Sequence, residues 1–202
     1  MANSTLITGA TGFLGSSLVK ALIKQKQSVI VLKRHHSKLE RLCEVSHLVR
    51  YYDLENDPLE TIFKKNSVDR IIHCATNYGR RVISPSEIIE ANLSLPLKLL
   101  QLGKEFGVRA FYNTDTILDK RVSHYTLSKK QFVEWLQTYE KEMVCANLSL
   151  EHFYGPEDDP SKFVSFVISE FVRNADKIEL TEGRQKRDFI FIDDIVSAFL
   201  QV

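Results

Sequence analysis

The sequence TLITGATGFLGSSLVKALIKQ, residues 5–25, predicts how this chain begins to fold. A short apolar run predicts a strand from Thr5 to Thr8, and apolar residues then recur at helical spacing. Gly9, Gly12 and Gly15 separate the two elements. In such a unit the first glycine permits a tight turn, the second lets backbone N–H groups approach a pyrophosphate, and the third allows close helix–strand packing. The stretch therefore predicts a dinucleotide-binding unit; the alternative is that the glycines serve only a turn.

The candidate pyrophosphate contacts lie in this turn and in the first turn of the helix. A helix N-terminus carries a partial positive charge and free backbone N–H groups, so anions bind there. The residues concerned are Gly9, Thr11, Gly12, Phe13, Leu14 and Gly15.

A second predicted strand, residues 28–32, is followed by Lys33 and Arg34. A site that prefers NAD usually places a carboxylate about 20 residues past the glycines, where it binds the ribose 2′-hydroxyl. Here two cations follow the strand instead. Arg34 can hold a 2′-phosphate with its planar fork, and Lys33 adds a point charge. We therefore predict NADP(H) rather than NAD(H); the alternative is a solvated basic strand end.

Length and composition suit a globular enzyme. The chain has 202 residues, 44% of them hydrophobic, enough for one substantial core with or without a partial second lobe. A formal net charge of +1 gives no reason to expect nucleic acid or a membrane as a partner. Cys43, Cys74 and Cys145 are odd in number and far apart, so neither a disulfide framework nor a metal site is indicated. No cleavable signal or membrane span is recognisable, and we expect a cytoplasmic protein.

Strands and helices alternate along the chain, which is typical of an α/β doubly wound parallel sheet. We expect a Rossmann-type domain over residues 1–150 and the start of a substrate lobe over residues 151–202. Further strands are predicted at 48–52, 70–75, 109–113 and 145–150, with helices at 58–65, 84–102 and 123–141. Ligands bind beyond the carboxyl ends of such strands, so the residues that follow each strand are the candidate site residues.

Two of these strand ends are candidates for the cofactor. Asp53 follows the third strand, where it could accept from the adenine amino group while Leu54 packs on the ring. An ordinary helix-capping or loop aspartate is the alternative. Cys74, Ala75 and Thr76 follow the fourth strand and are small enough to let the middle of the cofactor lie close to the sheet.

The same loop continues toward a candidate substrate site. His73 is interpreted as a packed strand residue rather than a catalyst. Tyr78 and Arg80 are candidate substrate contacts. Arg80 and Arg81 lie at the rim, where they either meet an anionic substrate or face solvent.

Polar side chains after the fifth strand point to proton chemistry. Thr114, Asp115 and Thr116 end this strand, and Tyr125 and Lys129 follow on one face of a predicted helix. An ammonium beside a phenol lowers its pKa, so Tyr125 could deliver a proton near neutral pH while Lys129 also holds the nicotinamide ribose. The Thr114 hydroxyl would bind the substrate oxygen. Taken alone, Tyr-x-x-x-Lys is a weak pattern, and a surface helix pair is the alternative.

These motifs, in this order, resemble the extended short-chain dehydrogenase/reductases, within the NAD(P)-dependent epimerase/dehydratase family that acts on nucleotide sugars. The resemblance rests on the glycine turn and the Tyr125–Lys129 pair. It rests also on two later stretches, LEHFYGP at 150–156 and RDFIFIDD at 187–194. The resemblance runs essentially from end to end.

The resemblance implies further site residues and a partner. Arg187 would contact the pyrophosphate of a sugar nucleotide, although a structural ion pair is the alternative. His152 and Lys162 are further candidate substrate contacts, and Lys162 could equally be ordinary surface. A homodimer is expected through the helices at 84–102 and 123–141.

Two departures from the family narrow the reaction. The 4,6-dehydratases carry Thr-Asp-Glu where this chain has Thr-Asp-Thr at 114–116, so the general base of water elimination is missing. Asp115 would then only orient the site. The family's epimerases favour an acidic residue after the second strand, and Lys33 and Arg34 argue against that.

Within the family the chain most resembles the CDP-abequose and CDP-paratose synthases, in NYGR at 77–80, the short connection from 116 to 125, and EHFYG at 151–155. This implies reduction of the 4-keto group of a CDP-4-keto-3,6-dideoxyhexose by NADPH, for O-antigen synthesis. Tyr125 would protonate the oxygen, and Thr114 or Thr116 would position the carbonyl. The alternatives are an NAD-dependent nucleotide-sugar 4-epimerase and a non-catalytic NADP-binding regulator.

The last residues predict an incomplete substrate lobe. The chain stops at Val202, inside the helix that follows Asp194, whereas the family continues. We expect the apolar side chains at 198–202 to lack cover and the sugar-nucleotide site to be open, weak or inactive.

Overall fold

A computed structural model describes residues 4–80 and 84–202. Its main sheet has six parallel strands: β1 (Ser4–Thr8), β2 (Ser28–Lys33), β3 (Val49–Asp53), β4 (Val68–His73), β5 (Ala110–Thr116) and β6 (Val144–Leu150). Their order across the sheet is β3-β2-β1-β4-β5-β6. The chain starts in the middle, runs out to one edge, and then crosses to fill the other half. The predicted doubly wound sheet is confirmed, and its topological switch point lies between β1 and β4, where such folds bind ligands.

Helices cover both faces of the sheet. They are α1 (Phe13–Lys24), α2 (Leu59–Lys65), α3 (Pro85–Ile89), α4 (Leu95–Glu105), α5 (His124–Gln137), α6 (Phe163–Val172) and α7 (Ile192–Gln201), with a 3₁₀ helix at Glu40–Leu48. A π-helical turn, Glu90–Ser94, joins α3 to α4, so the one helix predicted over 84–102 is divided. A second, parallel two-stranded sheet contains β7 (His152–Tyr154) and β8 (Phe189–Phe191).

Alternate residues of the central strands feed two separate cores. Ile7 packs in the core under α1 and α7, and Leu6 packs in the core under α2, α4 and α5. Because the main sheet is buried on both faces, its inner strands read as continuous apolar runs.

Helix α7 corrects the expectation of an uncovered C-terminal helix. Phe199 is fully buried, and Ile195 and Val196 are also buried in the core that contains α1. The apolar face of this amphipathic helix packs on α1, so residues 192–199 belong to the core on that face of the main sheet. The expectation holds for Val202, which is 54% exposed, and further exposed apolar side chains lie on α6, where Phe171 and Val172 are 68% and 77% exposed.

Within the described parts of the chain, none of the helices is both long enough and apolar enough to cross a membrane.

Candidate active site

The glycine turn after β1 forms a close-packed cradle. Gly9 has φ of 66°, and a Cβ built on it would lie 2.5 Å from the carbonyl carbon of Cys74. A Cβ on Gly15 would lie 2.7 Å from Ala10 Cα and would also overlap the Gly9 carbonyl oxygen. Each position thus admits only glycine, because the neighbours are backbone atoms that cannot move aside.

Helix α1 begins in this cradle without a side-chain cap. Gly12 is the N-cap, and its own N–H donates to the Gly9 carbonyl at 3.0 Å. The N–H groups of the first turn, at Phe13, Leu14 and Gly15, therefore stay available at the positive end of a 12-residue helix. Thr11 is partly exposed beside them. Unfilled donors and bare backbone fit the pyrophosphate of a dinucleotide.

The basic residues after β2 are held differently from one another. Lys33 Nζ donates to the carbonyls of Arg34 and His35, both at 3.4 Å, and lies 4.0 Å from Asp53 Oδ2. The Arg34 guanidinium makes no hydrogen bond or ion pair with any described residue. Asp53 thus offsets the charge of Lys33, and Arg34 is the cation that remains available for a ligand.

Both oxygens of the Asp53 carboxylate already have partners within the protein, which limits its capacity to accept from an adenine amino group. Its Oδ1 accepts the N–H of Glu55 at 2.9 Å, and its Oδ2 lies 2.9 Å from His35 Nδ1. The bond from Glu55 is the main reason that the pKa of Asp53 is lowered. Leu54 follows, with its N–H bonded to the Lys33 carbonyl at 2.8 Å and its side chain packed on the core under α2.

The end of β4 is fixed to β1 through Thr8. The Thr8 hydroxyl lies 2.8 Å from His73 Nδ1 and accepts the N–H of Ala75 at 3.2 Å. His73 is fully buried, and desolvation places its pKa well below the usual value, so it is a neutral packed residue. Burial also raises the pKa of the Cys74 thiol to about 12, which leaves it unreactive. Thr76 continues this loop and is partly exposed.

The two threonines at the end of β5 have different partners. Thr114 donates its hydroxyl proton to the His73 carbonyl at 3.0 Å, and its contact with the substrate oxygen stays a prediction. Thr116 instead lies beside the phenol of Tyr125, where its hydrogen-bonding influence lowers the phenol pKa. Period-two alternation along the strand turns Asp115 to the opposite face.

Lys129 is shielded from water and Tyr125 is partly buried, which changes the pKa of both groups. The sequence predicts a lowered pKa for Tyr125; instead burial, the largest cause, raises it to about 12. Lys129 is 1% exposed, and its Nζ has no hydrogen-bond partner among the described residues. Desolvation lowers the pKa of Lys129 to about 8. An unpartnered buried ammonium is costly, so this group suits a site completed by ligand hydroxyls.

An aromatic and a cationic side chain cover Tyr125. The ring of Tyr78 lies 5.1 Å from that of Tyr125, and the Arg80 guanidinium lies 4.7 Å from the centroid of the Tyr78 ring. Both influence the phenol, since Tyr78 raises its pKa and Arg80 lowers it. The predicted neighbour Arg81 lies outside the described residues.

Asn92 is a site residue that sequence reasoning missed. It is fully buried in the π-helical turn, and its side chain accepts the N–H of Asn77 at 2.8 Å. Its amide donates to the Asn77 carbonyl at 2.9 Å and to the Ser128 hydroxyl at 3.0 Å. Asn92 therefore joins the loop that carries Tyr78 to the helix that carries Tyr125. The π-helical turn, a frequent mark of functional sites, becomes visible only in the folded chain.

Replacing Asn92 with leucine is expected to lower the free energy of unfolding by about 3 kcal/mol, because both backbone groups of Asn77 lose their partner inside the protein. Urea denaturation measures the change. Gln101→Leu, on the exposed face of α4, is the control and should stay within about 0.5 kcal/mol of the original protein. Equal destabilisation by both variants would contradict the assignment.

The three predicted substrate contacts beyond β6 are dispersed. Lys162 Nζ pairs with the buried Asp158 carboxylate at 2.8 Å and lies 4.5 Å from the Phe153 ring, which stacks on Phe13. His152 packs on a phenylalanine ring of β8. Among described residues, Arg187 forms a hydrogen bond only to the adjacent Lys186 carbonyl. Lys162 is thus beside the start of α1, and the roles of Lys162, His152 and Arg187 toward a substrate stay predictions.

Within the described residues, His, Cys, Asp and Glu side chains form no group of three or more that could hold a metal ion.

This chain is similar to known proteins both in sequence and in fold. The model of the NAD dependent epimerase/dehydratase family matches residues 5–202. The chain is 38% identical to CDP-abequose synthase of Salmonella muenchen and 34% identical to that of Salmonella typhimurium. In both comparisons the match covers 98% of this chain and 69% of the relative.

Solved structures share the fold. UDP-glucose 4-epimerase of Thermotoga maritima matches 98% of this chain and 72% of its own, with a TM-score of 0.83 and 24% identity. UDP-glucuronic acid 4-epimerase of Bacillus cereus, solved with UDP-glucuronic acid and NAD, has a TM-score of 0.78 and 21% identity, and the match covers 98% of this chain and 72% of that one.

Proposed function

The chain belongs to the NAD dependent epimerase/dehydratase family, and we propose that it reduces the 4-keto group of a CDP-linked 3,6-dideoxyhexose with NADPH, as a step in O-antigen synthesis. The relatives named CDP-abequose synthase support this substrate class. The observation that carries the proposal is the pairing of the partly buried phenol of Tyr125 with Thr116. A hydroxyl stands where a dehydratase would need a carboxylate base, so the site can donate a proton to a carbonyl but lacks the base for water elimination.

The residues present fit a nicotinamide dinucleotide. Bare backbone at the glycine cradle and uncapped N–H groups of α1 suit its pyrophosphate, and the unpartnered Nζ of Lys129 suits its ribose hydroxyls. When bound, the cofactor supplies the hydride that reduces the carbonyl carbon.

Tyr125 supplies the matching proton. Its raised pKa keeps the phenol protonated throughout the neutral range, so the acid form is present when the substrate arrives. The O–H bond of Tyr125 breaks as one forms to the sugar C4 oxygen, and the phenolate that remains is stabilised by the Thr116 hydroxyl and by the nearby Arg80 cation. A proton from solvent then restores the phenol. The Tyr78 ring packs against the Tyr125 ring on one side, which reduces the access of water to it.

Substitutions at the end of β2 test the proposed preference for NADPH. Arg34→Asn is expected to weaken NADPH binding by about 10-fold or more, since a charge-assisted bond to a phosphate contributes roughly 1.5–3 kcal/mol. NADH binding should be unchanged. Lys33→Met should have a smaller effect, because Lys33 is already offset by Asp53. Titration of each cofactor, followed by nicotinamide fluorescence, measures this.

Lys38→Asn is the matched control, because Lys38 is an exposed cation on the same loop and pairs with Glu40. If Lys38→Asn weakened NADPH as much as Arg34→Asn, the specific role of Arg34 would be wrong. Tighter binding of NADH than of NADPH by the original protein would overturn the NADPH proposal.

An NAD-dependent 4-epimerase is the second candidate, and the Asp53 carboxylate favours it. This carboxylate lies at the end of β3, directly across from Lys33 in the sheet register, close to where an NAD site needs an acceptor. NAD that copurifies with the protein, together with turnover in the absence of added reductant, would establish this candidate in place of the reductase.

We further propose a homodimer in the cytoplasm. The exposed side chains of Leu127 and Trp135 lie two turns apart on one face of α5, and Ile89 of the neighbouring α3 is also exposed. Trp135→Glu is expected to convert the dimer to a monomer in sedimentation experiments. Phe171→Glu, on the equally exposed α6, should leave the dimer intact; the reverse result would place the interface on α6. The free thiols of all three cysteines suit a reducing compartment.

A further inference from the structure

Asp115 lies outside the chemistry described so far, yet its carboxylate is among the most enclosed groups in the protein. Its side chain is 1% exposed. Oδ2 accepts from Lys130 Nζ at 2.6 Å, from Asn147 Nδ2 at 3.2 Å and from Ser149 Oγ at 3.4 Å. Oδ1 has no hydrogen-bond partner among the described residues. A buried carboxylate of this kind needs a nearby cation, and Lys130 is the one that contacts it.

Lys130 makes a second contact at the same place. Its Nζ donates to the backbone carbonyl of Thr116 at 2.5 Å, so one ammonium holds two successive residues at the end of β5. Lys130 itself stands on α5, directly after Lys129 and between the two ends of the helix that presents Tyr125. The contact therefore links α5, which carries Tyr125, to the end of β5, which carries Thr116.

We infer that Lys130 is a positioning residue for the reduction: by binding the Asp115 carboxylate and the Thr116 carbonyl together, it fixes α5 against the end of β5 and so fixes Tyr125 beside Thr116. The inference rests on the proposed function for its kinetic test. Asp115, which lies at the position of a dehydratase acid, acts here as the buried anion that Lys130 grips.

The Asp115 carboxylate also raises the pKa of the Lys129 ammonium through its charge. The charged and titratable groups that face this ammonium are Asp115 from β5, His73 and Cys74 from β4, and Lys130 from its own helix. Asp115 is the largest influence opposing the desolvation that lowers the pKa of Lys129. Loss of the Asp115 charge should therefore lower that pKa further below about 8, so that Lys129 loses its proton at a lower pH.

Steady-state kinetics with the CDP-4-keto sugar test the positioning role. Lys130→Met is expected to lower kcat about 10- to 100-fold, with KM changed less than threefold, because a misplaced donor slows proton transfer more than it weakens binding. Lys130→Arg, which can still grip a carboxylate, should restore kcat to within about threefold. Lys120→Met is the control, because Lys120 also joins a loop to α5 through an exposed pair with Glu134. An unchanged kcat in Lys130→Met would overturn the inference.

A second measurement does not need the substrate. The titration of Lys129 is followed by ¹³Cε-lysine NMR in the cofactor-free protein, with Lys129→Met to assign the resonance. Asp115→Asn is expected to move this titration to lower pH, and an unmoved titration would overturn the role of Asp115. If the original protein failed to reduce the CDP-4-keto sugar, the proposed function would be wrong, while this titration would still support or overturn the arrangement around Asp115.

The double variant Asp115→Asn/Lys130→Met distinguishes an effect on the position of Tyr125 from a loss of folding. Removing both members of a buried pair leaves no uncompensated charge, so the double variant should unfold at a higher temperature than Lys130→Met alone. It should still show a lowered kcat and a shifted Lys129 titration. Original kcat in the folded double variant would show that the pair stabilises the fold without positioning Tyr125.

Discussion

Tyr125→Phe is expected to lower kcat for reduction of the CDP-4-keto sugar by about 10²- to 10⁴-fold, the usual contribution of a positioned general acid. The variant keeps the ring that packs against Tyr78 at 5.1 Å and removes only the hydroxyl. Binding of NADPH should therefore remain within about threefold of the original protein. Steady-state kinetics and a fluorescence titration of the same preparation measure the two quantities.

Two further tyrosines make this result specific. Tyr139→Phe removes a hydroxyl on the turn after α5, where the Tyr139 ring lies 5.8 Å below the Lys104 ammonium, and should leave kcat unchanged. Tyr78→Phe keeps the ring over Tyr125 and should cost far less than Tyr125→Phe. If Tyr78→Phe lost as much activity as Tyr125→Phe, the proton would come from Tyr78 and the assignment of Tyr125 would fail.

Local spacing explains which parts of the site the sequence could predict. The glycine turn needs only three glycines between a strand and a helix, and Tyr125 and Lys129 need only the helical period, so both motifs are legible within a few residues. The sheet order then follows from the alternation of strands and helices, because parallel strands with right-handed crossovers have few alternatives.

Contacts between distant segments explain what the sequence left open. The hydroxyl of Thr114 is bonded to a carbonyl on the neighbouring strand, and this partner depends on the register of β4 against β5. The grip of Lys130 on Asp115 likewise depends on how α5 lies across the end of β5. Hydrophobic and charge patterns do not encode such pairings, so the sequence alone could not give the different partners of Thr114 and Thr116.

Environment explains the reversed expectation for Tyr125. A separation of four residues on a helix places the Lys129 ammonium near the Tyr125 phenol, but the sequence does not show how much water reaches either group. In the folded chain burial is the largest influence on both side chains, raising the pKa of Tyr125 and lowering that of Lys129. In the proposed reduction, desolvation would therefore keep Tyr125 protonated as the donor, and cofactor hydroxyls would be the partners of Lys129.

Gly15→Ala should have the second large effect, on the cofactor rather than on the chemistry. Its Cβ would lie 2.7 Å from Ala10 Cα and against the Gly9 carbonyl, so the backbone of the cradle must move. We expect NADPH binding to weaken by about 30-fold or more and the free energy of unfolding to fall by roughly 1–3 kcal/mol, as for other overpacked sites. Fluorescence titration and urea denaturation measure these two losses.

A graded series of glycines separates this steric effect from a general cost of substitution. At Gly12 an added Cβ would lie 3.3 Å from the Gly9 carbonyl oxygen, and at Gly103, in α4, it would make an ordinary contact at 3.4 Å with Ile71 Cδ1. The loss of NADPH binding should therefore decrease from Gly15→Ala to Gly12→Ala and vanish in Gly103→Ala, where alanine also favours the helix. Original affinity in a folded Gly15→Ala protein would mean that the dinucleotide does not lie on this turn, and the proposed reductase would lose its cofactor site.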